Sequence, residues 1–493
     1  MHNQTVTPTP QFDTVYKKRL AIITPQDFNT LKEIQPEGFE IKSVIAKESQ
    51  DIDFIIDWAD TVLLVGVNPA SIYASQYQNI IYKKVFIFLD EKELFTHDAQ
   101  RIVWRNITEC VFVGEKINVR AVNAQLAGQT PKQEMPEKLK IGFVTMWFER
   151  GQSYVTKTFR DVLARQHETF IFARQGGVGV QKFLETEGFW KVPNLTTYDK
   201  YQIPPDVLKS WISSNKLDVI IFNEEYDWNL IKTAKDIGVK VVTYLDFYRY
   251  DWTPFMRLFD AVICSSKRTW EMVREFCSAY YVGWAINTDL FKPVYGNEKA
   301  TFFHNAGWLG INYRKMTPAA ILAFDVVSKK HKDISLFIHA QVGVEKLPFL
   351  VRDILKKNNK ITWYNKTVSA PGLYHKGKYL LFPTKLEGLG LPLFEALSCG
   401  LPVICTNTAP MNEVVRDGVT GFEVQWASSR QRYDGVAFHE TIINVNSLVD
   451  AMERAIQANY EAMSKSAREY AVENFSQDNF EKRLNVILEG LYK

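Results

Sequence analysis

Short apolar runs alternate with longer mixed segments along most of this chain. The first runs are Leu20–Ile23, Ile41–Ile45, Val62–Val65, Val85–Leu89 and Val111–Val113. Polar or turn-forming residues bound each run, so together they predict a small, mostly parallel α/β sheet. A second series has Ile141–Thr145, Thr169–Ala173, Val219–Phe222 and Val241–Tyr244. Within it, Val155, Phe159, Val162 and Leu163 share one face of a predicted helix. A third series has Thr301–Asn305, Leu336–Ile338, Ile361–Tyr364, Tyr379–Phe382 and Val403–Cys405. The first helix of this series is expected to open at Thr317-Pro318, with Thr317 as N-cap and the proline at the first helical position. From about Val424 to Thr441 the chain is polar. From about Ser447 to the end the spacing is helical, with Phe480, Leu484, Val486, Ile487 and Leu491 near one face.

Residues 1–17 are polar, carry Pro8 and Pro10, and read as a disordered tail. Residues 18–125 read as an accessory α/β domain. It has no phosphate-loop motif, and Asp90 and Glu91 at a strand end read as solvated loop residues. This domain is a candidate surface for a protein partner or for self-association. Residues 126–138 hold Gly128, Pro131 and Pro136 and read as a linker. A second α/β domain begins at 139.

Length changes the picture little: 493 residues exceed one core and require several domains. A formal charge of +3 with scattered basic residues argues against nucleic acid as a partner. The cysteines, Cys110, Cys264, Cys277, Cys399 and Cys405, form no C-x-x-C pair. They suit buried thiols in a reducing compartment rather than a metal site, and no metal is expected. No apolar run reaches the roughly 18 residues needed to span a bilayer. The opening MHNQTVTPTPQ lacks the basic and apolar regions of a signal peptide. A soluble cytoplasmic protein is expected, either free or resting on a membrane surface.

The chemistry concentrates between Phe382 and Val424. A strand closed by Pro383 leads into Glu387-Gly388-Leu389-Gly390-Leu391, and a helix opening at Pro392 carries Glu395. Glycines let backbone N–H groups approach a ligand, and a helix N-terminus favours an anion. Carboxylates on either side of such a turn can accept hydrogen bonds from sugar hydroxyls. Val403–Cys405, after Gly400-Leu401-Pro402, completes a parallel βαβ unit.

This run closely resembles the E-x7-E signature of retaining family 4 glycosyltransferases. Glu387, Gly388, Gly390, Pro392, Glu395, Ala396, Gly400, Pro402, Val403, Glu413, Gly418, Thr420 and Gly421 stand at the family's spacing. Asn287, Asp289, Phe291 and Pro293 match its interdomain linker. The resemblance covers about residues 138–493. It implies the α/β GT-B fold, with two Rossmann-like doubly wound domains facing a cleft, here preceded by the smaller accessory α/β domain. It also implies an acceptor-side domain at 139–292, a nucleotide-sugar domain at 293–465, and a terminal helix at 466–493 that crosses back to the acceptor side.

The implied activity is hexosyl transfer from a nucleotide-sugar to a hydroxyl-bearing acceptor, with retention of configuration and without metal or other cofactor. Glu387 and Lys315 would be catalytic. Arg314, Gly307, Gly388, Leu389, Gly390, Leu391 and Glu395 would bind the donor, Glu395 through its ribose. The family has a Gly-Arg pair where this chain has Gly307-Trp308, so Arg314 is a candidate replacement for the missing cation. It has a His-Asp pair where this chain has Leu245-Asp246. Arg150, Gly151, Asn223, Glu224 and Asp246 follow predicted strands and fall on the acceptor side. Rival readings are a scaffold of weak activity, an epimerase and a phosphorylase of the same fold.

Overall fold

The computed structural model describes residues 18–24, 34–35, 39–45, 49–65, 84–89, 110–113, 135–176, 184–274, 276–295, 299–308, 310–432 and 434–492. The expected tail at 1–17, most of the linker and the Asp90-Glu91 pair lie outside the described residues.

Three parallel sheets account for the apolar runs. The first joins β1 (Lys18–Thr24), β2 (Phe39–Ile45), β3 (Thr61–Val65), β4 (Lys84–Leu89) and β5 (Cys110–Val113) in the order 2-1-3-4-5. The second has β6 (Lys140–Met146), β7 (Glu168–Arg174), β8 (Leu195–Tyr198), β9 (Val219–Asn223), β10 (Lys240–Tyr244), β11 (Ala261–Cys264) and β12 (Ala279–Tyr281). Its order is 12-11-10-9-6-7-8. The third has β13 (Ala300–Gly307), β14 (Leu336–Ala340), β15 (Ile361–Asn365), β16 (Gly377–Phe382), β17 (Val403–Thr406) and β18 (Gly421–Val424), in the order 15-14-13-16-17-18. Strands such as β9 and β17 are buried along their whole length, as both-face coverage by helices requires.

In the second sheet the winding reverses between β6 and β9, and in the third between β13 and β16. Crevices open beyond the carboxyl ends of strands at such reversals. The two crevices here face each other.

Three elements tie the two halves together. The last helix, Gln477–Gly490, lays Phe480 against Phe159 and Trp284, at ring separations of 5.2 and 5.8 Å. Arg165 pairs with Asp478 and Glu481 along its flank. The polar stretch after Val424 is an antiparallel hairpin, β19 (Trp426–Arg430) with β20 (Glu440–Ile443). Its tip crosses to the other half, where Tyr250 N donates to Gly435 O and Ala437 N to Tyr248 O. Sequence gave no sign of β19, because its residues are exposed and carry no apolar alternation. The third tie is Arg268, half-buried in the second half, which donates to the carbonyls of Glu387, Gly388 and Ala409 in the third.

One helix start differs from expectation. The helix Thr317–Lys330 is preceded by Met316 in the left-handed region (φ 52°), so Thr317 is its first residue and not its cap. The Thr317 hydroxyl is directed instead to His304, whose other ring nitrogen faces Leu381 O. A carbonyl only accepts, so the His304 Nδ1 carries the proton and Nε2 takes the one from Thr317. Burial holds this ring neutral, with its pKa lowered to about 4.

Candidate functional site

Every site residue expected from the sequence lines one cavity of about 530 Å³ between the second and third sheets. From the second half come Arg150, Gly151, Asn223, Glu224 and Asp246. From the third come Gly307, Arg314, Lys315, Glu387, the turn Gly388–Leu391 and Glu395.

Glu387 follows β16 and is almost fully buried. Its Oε1 accepts from Lys315 Nζ at 2.7 Å and from Thr384 Oγ1 at 3.0 Å, and its Oε2 accepts from Arg314. Burial alone would raise its pKa. The charges of Lys315 and Arg314, with the hydrogen bonds from Lys315 and Thr384, outweigh burial and hold the carboxyl below the usual range. Lys315 is itself buried, and that burial lowers its pKa against the pull of Glu387. Arg314 and Lys315 are brought to the carboxylate by the tight turn before the helix at Thr317, in which Lys315 N bonds Gly310 O.

The turn itself depends on two glycines. Gly390 has φ 83° and immediately precedes the helix Leu391–Ser398, which therefore starts one residue before Pro392. At Gly388 a Cβ would lie 3.2 Å from the Cβ of Asp246, so the turn presses against the opposite half of the cavity. The turn ends at a helix N-terminus, an end that favours an anion, although Pro392 has no N–H and Leu393 N bonds Gly390 O.

Glu395 accepts from the buried Tyr374 hydroxyl. Burial raises its pKa to about 7, against the opposing effects of that hydrogen bond and of Lys315.

Across the cavity, Glu224 Oε1 accepts from the backbone of Phe247 at 2.8 Å and of Asp246 at 3.3 Å. Burial still raises its pKa to about 7. Asp246 is 5% exposed, and its Oδ1 has no hydrogen-bond partner. Burial and the neighbouring Glu224 push its pKa well up, against Arg268. Leu245 is core. Asn223 spends its amide on Gln152 O and Thr156 Oγ1, at 2.7 Å each, which fixes the helix Gly151–Leu163 against β9.

Arg150 immediately precedes the helix Gly151–Leu163 and stands 3.7 Å over the Trp308 ring. It makes no ion pair with any described carboxylate, and burial lowers its pKa. Sequence reasoning noted both residues but not their contact, because they are distant in the chain. It missed Tyr374, Thr384, Gln152 and Arg268 altogether. None of these carries a local spacing signal.

Comparison with known proteins separates the fold from the activity. A glycosyltransferase from Rickettsia africae ESF-5 superposes with a TM-score of 0.56, over 73% of this chain and 100% of that one, at 14% identity. The fold is GT-B. The pneumococcal O-GlcNAc transferase GtfA, solved with UDP and GlcNAc, superposes on this GT-B chain with a TM-score of 0.54 at 11% identity, covering 72% of this chain and 99% of that one. Residues 310–473, most of the third-sheet half, match the family model "Glycosyl transferases group 1". The O-antigen chain mannosyltransferase B of Escherichia coli is 47% identical over 47 residues, 10% of this chain. The match spans only 12% of that enzyme's length. Among the described residues, no helix is long and apolar enough to cross a membrane.

Proposed function

We propose that this protein transfers a hexosyl group from a nucleotide-sugar to a hydroxyl-bearing acceptor, with retention of anomeric configuration. The observation that carries the proposal is the Lys315–Glu387–Arg314 cluster beside the glycine turn and helix N-terminus at Gly388–Leu391. The matched glycosyl transferase model covers that whole cluster.

The donor diphosphate lies against Lys315, Arg314 and the turn amides. As the bond from the anomeric carbon to the phosphate oxygen breaks, charge builds on the diphosphate and these groups stabilise it. The acceptor oxygen bonds the anomeric carbon on the face the phosphate leaves, and its proton passes to the departing phosphate oxygen. Glu387 fixes the two cations and keeps lone pairs for the sugar hydroxyls. Glu395, held by Tyr374, receives the ribose hydroxyls. Asp246, with one oxygen unpartnered, receives an acceptor hydroxyl. The reading needs no metal. The test incubates the protein with UDP-, GDP-, ADP- and CMP-sugars and measures free nucleotide. Release from one donor class, abolished by Lys315→Ala, is expected. Equal release by wild type and Lys315→Ala contradicts the assignment.

A further inference from the structure

A second cavity, of about 570 Å³, lies beside the first and is lined by residues of the second-sheet half. Gln152 and Glu224 line both cavities, so the two adjoin there. Aromatic rings of Tyr201, Tyr226, Phe247 and Trp252 share its walls with charged and amide side chains. Tyr226 and Trp252 stack at 5.1 Å, and Phe247 meets Trp252 edge-on. The Tyr201 hydroxyl lies 3.0 Å from that of Tyr226. Tyr226 and Phe247 are 46% and 38% exposed, so both present aromatic surface to solvent.

Each arginine of this wall already has a carboxylate partner. Arg174 pairs with Glu225 at 2.8 Å and Arg249 with Asp251 at 2.9 Å. An anionic ligand therefore gains little here. Tyrosine hydroxyls and the Gln152 amide interrupt the apolar surface, which disfavours a lipid chain. A neutral ring with an apolar face and a hydroxyl rim matches both features.

We infer that this cavity is a subsite for a second sugar ring of the acceptor, so that the acceptor is a glycan chain of at least two residues. The inference rests on the transferase reading given above. The ring to be glycosylated lies by Asp246, and the chain continues past Glu224 onto Tyr226 and Trp252.

Saturation-transfer NMR reads this without turnover. The probes are methyl glycosides, disaccharides and trisaccharides of the manno, gluco and galacto series, with a short polyprenyl phosphate for comparison. One series is expected to bind at least tenfold tighter as a disaccharide or trisaccharide than as the methyl glycoside. Both Trp252→Ala and Tyr226→Ala should remove that gain. Tyr226 is exposed, so its variant serves if Trp252→Ala fails to fold. Equal affinity for one ring and three, a gain that survives the variants, preferred binding of the polyprenyl phosphate, or no saccharide binding each overturns the subsite. UDP, GDP, ADP and CMP binding to the wild-type protein is read in parallel. Binding of none of them beside an intact chain-length gain refutes the transferase reading alone.

Discussion

The Arg150 guanidinium stands 3.7 Å from the centre of the Trp308 ring, which places a cation of the acceptor-side half on an aromatic of the donor-side half. Arg314 and Lys315 are both committed to Glu387. Arg150 is the cation of this cavity without a carboxylate partner among the described residues. A contact of this kind is worth about 0.5–2 kcal/mol. Trp308→Ala should therefore raise the donor KM roughly 3- to 10-fold with a smaller loss of kcat, and Trp308→Phe should retain most of the affinity. Unchanged donor kinetics in Trp308→Ala would show that the pair is only packing.

Glu387 balances two cations in a buried setting. Removing one member of such a cluster costs of order 3 kcal/mol. Glu387→Gln should unfold more readily at neutral pH. Because the native pKa of Glu387 is depressed, its contribution is present above the unfolded carboxyl value of about 4.3 and fades as pH falls through the native value. Denaturant titrations at pH 7 and at pH 3.5 should show the gap between variant and wild type closing. A gap independent of pH contradicts the assignment.

Glu224 behaves in the opposite sense. Its native pKa is raised to about 7. Its protonated form is the favoured one in the fold, so stability is highest below the unfolded value and is lost as pH rises toward 7. Gln keeps an oxygen for the Phe247 and Asp246 amides without the charge. Glu224→Gln should gain stability relative to wild type between pH 4.5 and 8, by at most about 4 kcal/mol. Thermal unfolding across that range checks it. A difference that does not grow with pH argues against a strained carboxylate.

The transfer reading places all leaving-group stabilisation on Lys315, Arg314 and backbone amides. Turnover should survive excess EDTA within about twofold. A loss of tenfold or more, restored by Mg²⁺ or Mn²⁺, would require a metal that this account omits.

Much of the fold was legible because buried parallel strands read as unbroken apolar runs, as at Val219–Phe222 and Leu380–Phe382. The site was legible where chemistry is local in sequence, as from Glu387 to Glu395 and at Arg314-Lys315. Contacts set by tertiary packing were not. Nothing near Tyr374 announces a partner for Glu395, and nothing near Arg268 announces its grip on the Gly388 turn. Thr317 looked like a cap because caps are usually hydroxyls. The demand of buried His304 for a donor claimed that hydroxyl instead.

The most direct test of the central claim is nucleotide release from a donor panel by wild type and by Lys315→Ala, Glu387→Gln and Arg150→Ala. The account predicts one donor class hydrolysed by wild type, a loss of 100-fold or more at Lys315 and Glu387, and a smaller loss at Arg150. Release that is indifferent to Lys315 and Glu387 would contradict it.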